Sequence, residues 1–298
     1  MDTRIIDLHV HSKASDGTFT PTELVEEAKR AGLAAFALTD HDNTEGLEEA
    51  FLAADSCSIE LIPGIEFSTE YCGKDIHIVG IDFDWQHPDF QRQLVFYRDE
   101  RLRRNQKMID LMAGDGIDIS YEQMEEAFGK NVWTRAHFAR YLADHGYVNE
   151  MWDAFKTHIG EGCKYFVPRR KVKPDTVVRL IRDFGGIPIL AHPFQYHFSD
   201  QELRKLISIL KSQGLMGIEV YYSTHTPEQE VYLLALAEEL SLTPSGGSDF
   251  HGAHKPDIYL GRGKNNLRIP YSILEGLRQK RSICDRLNNK EETNHEVS

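Results

Sequence analysis

The sequence predicts an α/β fold, a parallel sheet or barrel carrying an all-helical insertion. Three observations predict it. Short apolar strands alternate with helices toward both ends of the chain, the βαβ rhythm of parallel sheets. Between Phe83 and Phe166 the period becomes helical and no strand pattern appears. Nearly every predicted strand ends in a metal-ligand type of residue: His9 and His11, Asp40 and His41, Glu66, His192, Asp249 and His251. In an α/β barrel that end is the active face, where side chains from several strands converge.

The first strand is Ile5-Ile6-Asp7-Leu8-His9-Val10-His11, followed by an acid in a tight turn, Asp16-Gly17. Side chains two apart on a strand share a face, so His9 and His11 project together. Thr20-Pro21-Thr22-Glu23 is a helix start with a Thr cap, Pro at the first position and Glu at the third; Gly32 stops that helix. The apolar run Ala34–Leu38 is a buried strand ending in Thr39-Asp40-His41-Asp42. A helix over 44–54 leads to a strand over 59–65, broken by Pro63-Gly64 and ending at Glu66. The turn Cys72-Gly73-Lys74-Asp75 precedes the alternating run Ile76–Ile81, which carries His77; this pair reads as a hairpin or a crossover. Helices follow over 89–113, 121–128, 134–144 and 150–158. The βα rhythm then resumes: helix 174–184, strand Ile187–Ala191 ending in His192-Pro193, helix 200–213, strand Met216–Val220, helix 227–240, and strand Thr243–Ser245 ending in Gly246-Gly247-Ser248-Asp249-Phe250-His251. A last helix over 271–281 leads into a polar tail, 285–298, expected to be flexible.

Composition narrows the function. The 298 residues suffice for a sizeable core, and no run of about 18 apolar residues is present to span a membrane. The chain opens without an apolar leader core, so a cytoplasmic location is expected. The four cysteines have no C-x-x-C spacing and read as reduced thiols rather than disulfides or a zinc knuckle. The net charge of −13 counts against a general grip on nucleic acid. The stretch 98–179, however, holds 15 Lys+Arg against 13 Asp+Glu, so an acidic body surrounds a near-neutral, arginine-bearing insert.

Two imidazoles beside a carboxylate begin a divalent-metal site; taken alone, His9 and His11 could equally be solvated histidines. Glu66 would close a buried strand, where a carboxylate needs a cation or donors to offset burial. Asp249-x-His251 repeats the two-residue spacing after a Gly-Gly turn that lets backbones approach closely. Asp40 should point away from His41 and orient a ligand or hold a turn. Arg101 and Arg104, three apart, share a helix face. Arg135 follows Thr134 at a helix start, where backbone N–H groups favour anions. Lys164 and Arg169 are weaker anion-binding candidates.

The ordered set His9-x-His11 with Asp16, Thr39-Asp40-His41, Gly64-Ile65-Glu66, His77, Ala191-His192-Pro193 and Ser248-Asp249-Phe250-His251 resembles the PHP (polymerase and histidinol phosphatase) family of metal-dependent phosphoesterases. The resemblance implies a distorted seven-stranded β/α barrel with three divalent metal ions, Mn, Fe or Zn. His9, His11, Glu66 and Asp249 would hold one. Glu66, His77 and His192 would hold the second. Asp16, His41 and His251 would hold the third and be catalytic. The insert and the run Thr134–Arg140 resemble a branch acting on nucleotides. That implies hydrolysis of a nucleoside 3′,5′-bisphosphate, with Arg101, Arg104, Thr134 and Arg135 binding substrate. The alternatives are 5′-3′ exonuclease action on short RNA, histidinol-phosphate hydrolysis, and a non-catalytic metal-binding regulatory module. The expected organisation is a barrel in two parts, 1–96 and 171–284, around a helical cap at 97–170.

Overall fold

β1 (Ile5–Val10) pairs in parallel with β2 (Leu33–Leu38), and β2 in parallel with β3 (Glu60–Tyr71). In this computed structural model, residues 4–129, 133–168 and 172–295 are described, without the side chains beyond 287; Arg169 lies outside them. β4 (Lys74–Ile81) runs antiparallel to both β3 and β5 (Ile187–Leu190). β6 (Gly217–Tyr222) and β7 (Thr243–Gly247) continue the sheet in parallel. β7 then meets β1: Asp249 N–H donates to His9 O at 2.8 Å and His11 N–H to Phe250 O at 3.0 Å. The result is a nearly closed, barrel-like sheet.

The sheet has eight strands rather than the expected seven. The addition is β8 (Ile269–Pro270), antiparallel to β1 at the open edge. Two residues leave no periodicity to read, and proline is tolerated there because an edge N–H needs no partner. β3 is also unbroken. Pro63 and Gly64 mark the change of neighbour: pairing with β2 ends at Pro63 and pairing with β4 starts at Gly64. The β3–β4 connection is the hairpin, turned by Cys72 (φ 52°) and Gly73 (φ 77°), both left-handed as a two-residue hairpin turn requires. Because β4 runs backwards, its early residue His77 lies at the same end of the barrel as the late residues of the other strands.

Helices α1 (Pro21–Arg30) and α2 (Leu47–Cys57) join the first three strands. The long α3 (Pro88–Gly114) leaves the barrel, followed by α4 (Tyr121–Phe128), α5 (Arg135–Asp144) and α6 (Met151–Ala154), which passes into a π-helical turn. α7 (Pro174–Asp183), α8 (Asp200–Lys211) and α9 (Pro227–Glu239) return to the βα rhythm. α3 belongs to two cores. Phe90, Leu94 and Tyr97 pack with barrel residues such as Phe67 and Ile181, while Met108, Ile109 and Met112 pack with Trp133, Phe138 and Tyr141 of the insert. One continuous helix therefore crosses position 97, where the cap was expected to begin. α10 (Ser272–His295) likewise runs on through most of the stretch expected as a flexible tail, and Asp285 is held by Arg182 at 2.6 Å. Among the described residues no helix is long and apolar enough to cross a membrane.

Candidate metal centre

The strand ends deliver nine side chains to one buried cluster centred on Glu66. Its Oε2 stands 3.2 Å from His9 Nε2, 3.1 Å from His11 Nε2 and 3.1 Å from His41 Nδ1. Its Oε1 stands 2.8 Å from His77 Nδ1 and 3.1 Å from His192 Nε2. Asp249 Oδ1 is 3.4 Å from His11 Nε2 and 3.3 Å from His251 Nδ1. Asp16 places Oδ1 at 3.2 Å from His251 Nε2 and Oδ2 at 3.7 Å from His41 Nε2. Two donors each about 2.1 Å from a shared ion, at tetrahedral to octahedral angles, stand about 3.0–3.4 Å apart. The cluster has that spacing. His9 Nε2, His11 Nε2 and His41 Nδ1 are buried without a hydrogen bond although a carboxylate faces them. Buried polar atoms left so are costly in a native fold, and a cation accepting their lone pairs removes the cost. The residues therefore fit divalent ions. His11, Asp16, His41 and His251 form one group able to hold an ion, His9, His11 and Glu66 another, and His41, Glu66 and His77 a third.

The charges are mutually supported. Burial would raise the Glu66 carboxyl, but His9, His77 and His41 outweigh it and hold it well below the usual range. Asp16 is depressed in the same way by His41 and His251, and Asp249 by Lys255 and His251. Burial drives His41 down to about 3. Burial also acts to lower His11, but Asp249 and Glu66 lift it to about 9. Protons held there are displaced when a cation binds.

Local backbone builds this arrangement. Gly17 turns so close to β1 that a Cβ would stand 2.3 Å from His11 O. Asp40 accepts from Ser12 N–H and from the Ser12 and Ser15 hydroxyls at 2.6–2.8 Å, holding the loop that carries Asp16; this is the turn-holding role expected of it. Asp249 (φ 56°) and His192 (φ 22°) are both left-handed. Such φ values in non-glycine residues cluster at functional sites, where the surroundings over-determine them.

The four expected substrate-binding residues are engaged within the protein. Arg101 is buried against Asp42 and Ser68, one residue beyond His41. Arg104 is buried beside it on α3. Thr134 caps α5, accepting from Ala136 N–H at 3.1 Å. Arg135 pairs with Asp75 of the β3–β4 hairpin at 2.6 Å and lies over the Phe166 ring. Lys164 pairs with Asp115 at 2.5 Å, away from the cluster.

Three neighbours escaped the sequence reading. Glu219 of β6 is buried between His9 Nδ1, at 3.1 Å, and His192 N–H, at 2.7 Å. Its signal was a charged residue inside an otherwise apolar strand. Lys255 Nζ meets Asp249 Oδ2 at 2.6 Å, and His254 Nδ1 lies 2.8 Å from Asp16 O. They come three and four residues after His251, and nothing in their spacing marked them.

A barrel mouth lined by converging imidazoles and carboxylates is the arrangement of a divalent-metal site on an α/β barrel. The chain belongs to the PHP domain family, whose model matches residues 7–172. A 5′-3′ exoribonuclease from Haemophilus influenzae is 40% identical over 88% of this chain and 94% of that one. A 3′,5′-nucleoside bisphosphate phosphatase from Chromobacterium violaceum is 34% identical over 83% of this chain and 87% of that one. The solved structure of an amidohydrolase from Chromobacterium violaceum, with sulfate bound and no metal, superposes with a TM-score of 0.83 at 32% identity, over 92% of this chain and 96% of that chain. The protein is a hydrolase acting on phosphate esters.

Proposed function

We propose that the protein hydrolyses the 3′-phosphate of a nucleoside 3′,5′-bisphosphate, giving the nucleoside 5′-monophosphate and phosphate. The observation that carries this reading is the buried convergence of five imidazoles on Glu66, with Asp16, Asp249 and His251 beside them, in a chain similar to the Chromobacterium violaceum phosphatase. His9, His11, Glu66 and Asp249 would hold one divalent ion, Glu66, His77 and His192 a second, and Asp16, His41 and His251 a third. Divalent ions in such a site neutralise phosphoryl oxygens and lower the pKa of a water. Mixed imidazole and carboxylate ligation suits Mn²⁺, Fe²⁺ or Zn²⁺.

The chain's own residues order the reaction. The His9, His11 and Glu66 side chains are at most 1% exposed, whereas Asp16, His41, His77, Asp249 and His251 rise to between 6% and 22%. The second group is the rim that the phosphoryl group meets. Water attacks phosphorus in line, the P–O3′ bond breaks, and the 3′ oxygen leaves with a proton. Arg101, Arg104, Thr134 and Arg135 are proposed to orient the substrate, guanidinium binding phosphate through paired hydrogen bonds. The helices of the insert would cap the mouth.

The Haemophilus influenzae relative favours a second reading, 5′-3′ exonuclease action on short RNA. The two share a substrate core, a 5′-phosphorylated nucleoside esterified at O3′, and cleavage of the same bond yields a 5′-monophosphate in both. A screen with Mn²⁺ over nucleoside bisphosphates, monophosphates and short RNA separates them. Free phosphate from bisphosphates supports the first reading; mononucleotides from RNA support the second. Absence of turnover on all three, with metal still bound, refutes both.

A further inference from the structure

A cavity of about 520 Å³ opens beside the metal-ligand cluster, between the β1–α1 loop, the loop after β7, and helices α4 and α5 of the insert. Its inner end is formed by Ser15 and Gly17, which flank Asp16, and by His254, whose ring is bonded to the Asp16 carbonyl. Its outer wall is Phe128 at the end of α4, with His137 and Arg140 on α5. The Phe128 and His137 rings meet edge to face, with centroids 5.1 Å apart. Arg140 and Asp144 form an ion pair on the lining at 2.6 Å, and Lys13 adds one further positive charge.

We propose that this cavity is the nucleoside subsite: the base stacks on Phe128 while the phosphate ester lies at the Asp16 end. The assignment rests on the nucleotide reading above. Its volume falls within the roughly 300–1,000 Å³ of small-molecule sites, and Ala127, Phe128 and Ala253 give a mostly polar lining its apolar part. Stacking on an aromatic ring accepts any base, because every base presents a π-face. The insert thus reads the nucleoside through α4 and α5, independently of the arginines on α3.

Calorimetric titration in Mn²⁺ buffer with adenosine 5′-monophosphate, ribose 5-phosphate and inorganic phosphate tests this. The first two share sugar and phosphate and differ in the base. Wild-type protein should bind the nucleotide about tenfold or more tighter than the sugar phosphate. Phe128→Ala should bring the two within about twofold of each other, the loss expected when one base–aromatic stack is removed. Ala127→Trp, which fills the cavity from an exposed helix position and leaves Phe128 in place, should weaken the nucleotide about tenfold while inorganic phosphate binds as before. Equal wild-type affinity for nucleotide and sugar phosphate overturns the subsite, as does a preference that survives both substitutions. If the base preference follows these expectations but no phosphate ester is hydrolysed, the proposed reaction fails and the subsite stands. Hydrolysis indifferent to the base has the reverse meaning.

Discussion

Glu219 Oε1 stands 3.1 Å from Nδ1 of His9, and its other oxygen accepts the backbone N–H of His192 at 2.7 Å. One buried carboxylate thereby fixes a ring on β1 and the chain entering the His192 turn after β5. A carboxylate on Nδ1 keeps the proton there and leaves the Nε2 lone pair directed at Glu66, the orientation a metal ligand needs. Glutamine at 219 has a single acceptor oxygen and cannot serve both donors. Glu219→Gln should weaken divalent-metal binding by about 10- to 100-fold, measured by competition with a chelating dye, with the far-ultraviolet circular dichroism unchanged. Unaltered metal affinity would show that His9 is oriented by something else.

What the sequence disclosed, and what it did not, follows from the range of each signal. His9-x-His11, Asp16, His41, Glu66, His192, Asp249 and His251 were legible because strand ends are marked by turns and because their residue types are rare on buried strands. His77 was legible by type but its placement required knowing that β4 runs backwards, which Cys72-Gly73 decides through two left-handed residues. Glu219 was overlooked because its partners are 210 and 27 positions away and no local pattern joins them. The arginines show the converse limit. A helix spacing reveals that Arg101 and Arg104 share a face, but not that both are buried, Arg101 against Asp42. Pro63-Gly64 resembled a strand break because the local signal of a lost N–H is the same whether a strand ends or changes neighbours.

Closure of the barrel depends on Gly247. A Cβ at that position would stand 2.2 Å from the His9 Cβ and 2.6 Å from the His9 backbone nitrogen, with neither able to move without displacing β1. Gly247→Ala should cost at least about 3 kcal/mol, the upper end of over-packing, read as a shift in urea midpoint at constant slope. Gly32→Ala is the comparison. Gly32 has φ 75° and open space around it, so the methyl meets only the left-handed penalty of about 1–2 kcal/mol. A cost at 247 no larger than at 32 would mean that β1 and β7 are less closely joined than their hydrogen bonds indicate.

His137 gives the fold a pH dependence set mainly by burial, with Asp16 opposing it and His254, Arg101 and His251 adding to it. Burial drives its ring down to about 4, and Nδ1 accepts Thr134 N–H at 3.0 Å, a bond only the unprotonated nitrogen makes. The folded-state pKa lies below the unfolded value, so the stabilising difference is complete above about pH 6.5. It is lost as pH falls, because the unfolded chain then takes up a proton that the folded chain refuses. Glutamine at the third helical position preserves the cap, since its side chain also accepts from the cap N–H. Between pH 6.5 and 5, wild type should lose about 1.6 kcal/mol relative to His137→Gln, since the limit of roughly 1.4 kcal/mol per pH unit for one group is reached only once the unfolded ring is mostly protonated. Parallel stability curves for the two proteins would refute the assignment.

Removing a rim ligand and removing a substrate arginine should differ in kind. Asp16→Ala and His251→Ala each delete a donor from the group that also contains His11 and His41, and turnover should fall to background while circular dichroism holds. Arg135→Ala should instead raise KM about tenfold or more with kcat largely kept, the loss expected for a charge-assisted hydrogen bond of roughly 1.5–3 kcal/mol to phosphate. Asp75→Ala separates binding from architecture, because Asp75 holds Arg135 at 2.6 Å across the gap from the β3–β4 hairpin to α5. If Arg135 binds phosphate, freeing it from Asp75 leaves KM unchanged or lower, opposite to the effect of Arg135→Ala. If the pair only joins insert to barrel, both substitutions weaken the same contact and should shift KM and thermal midpoint together.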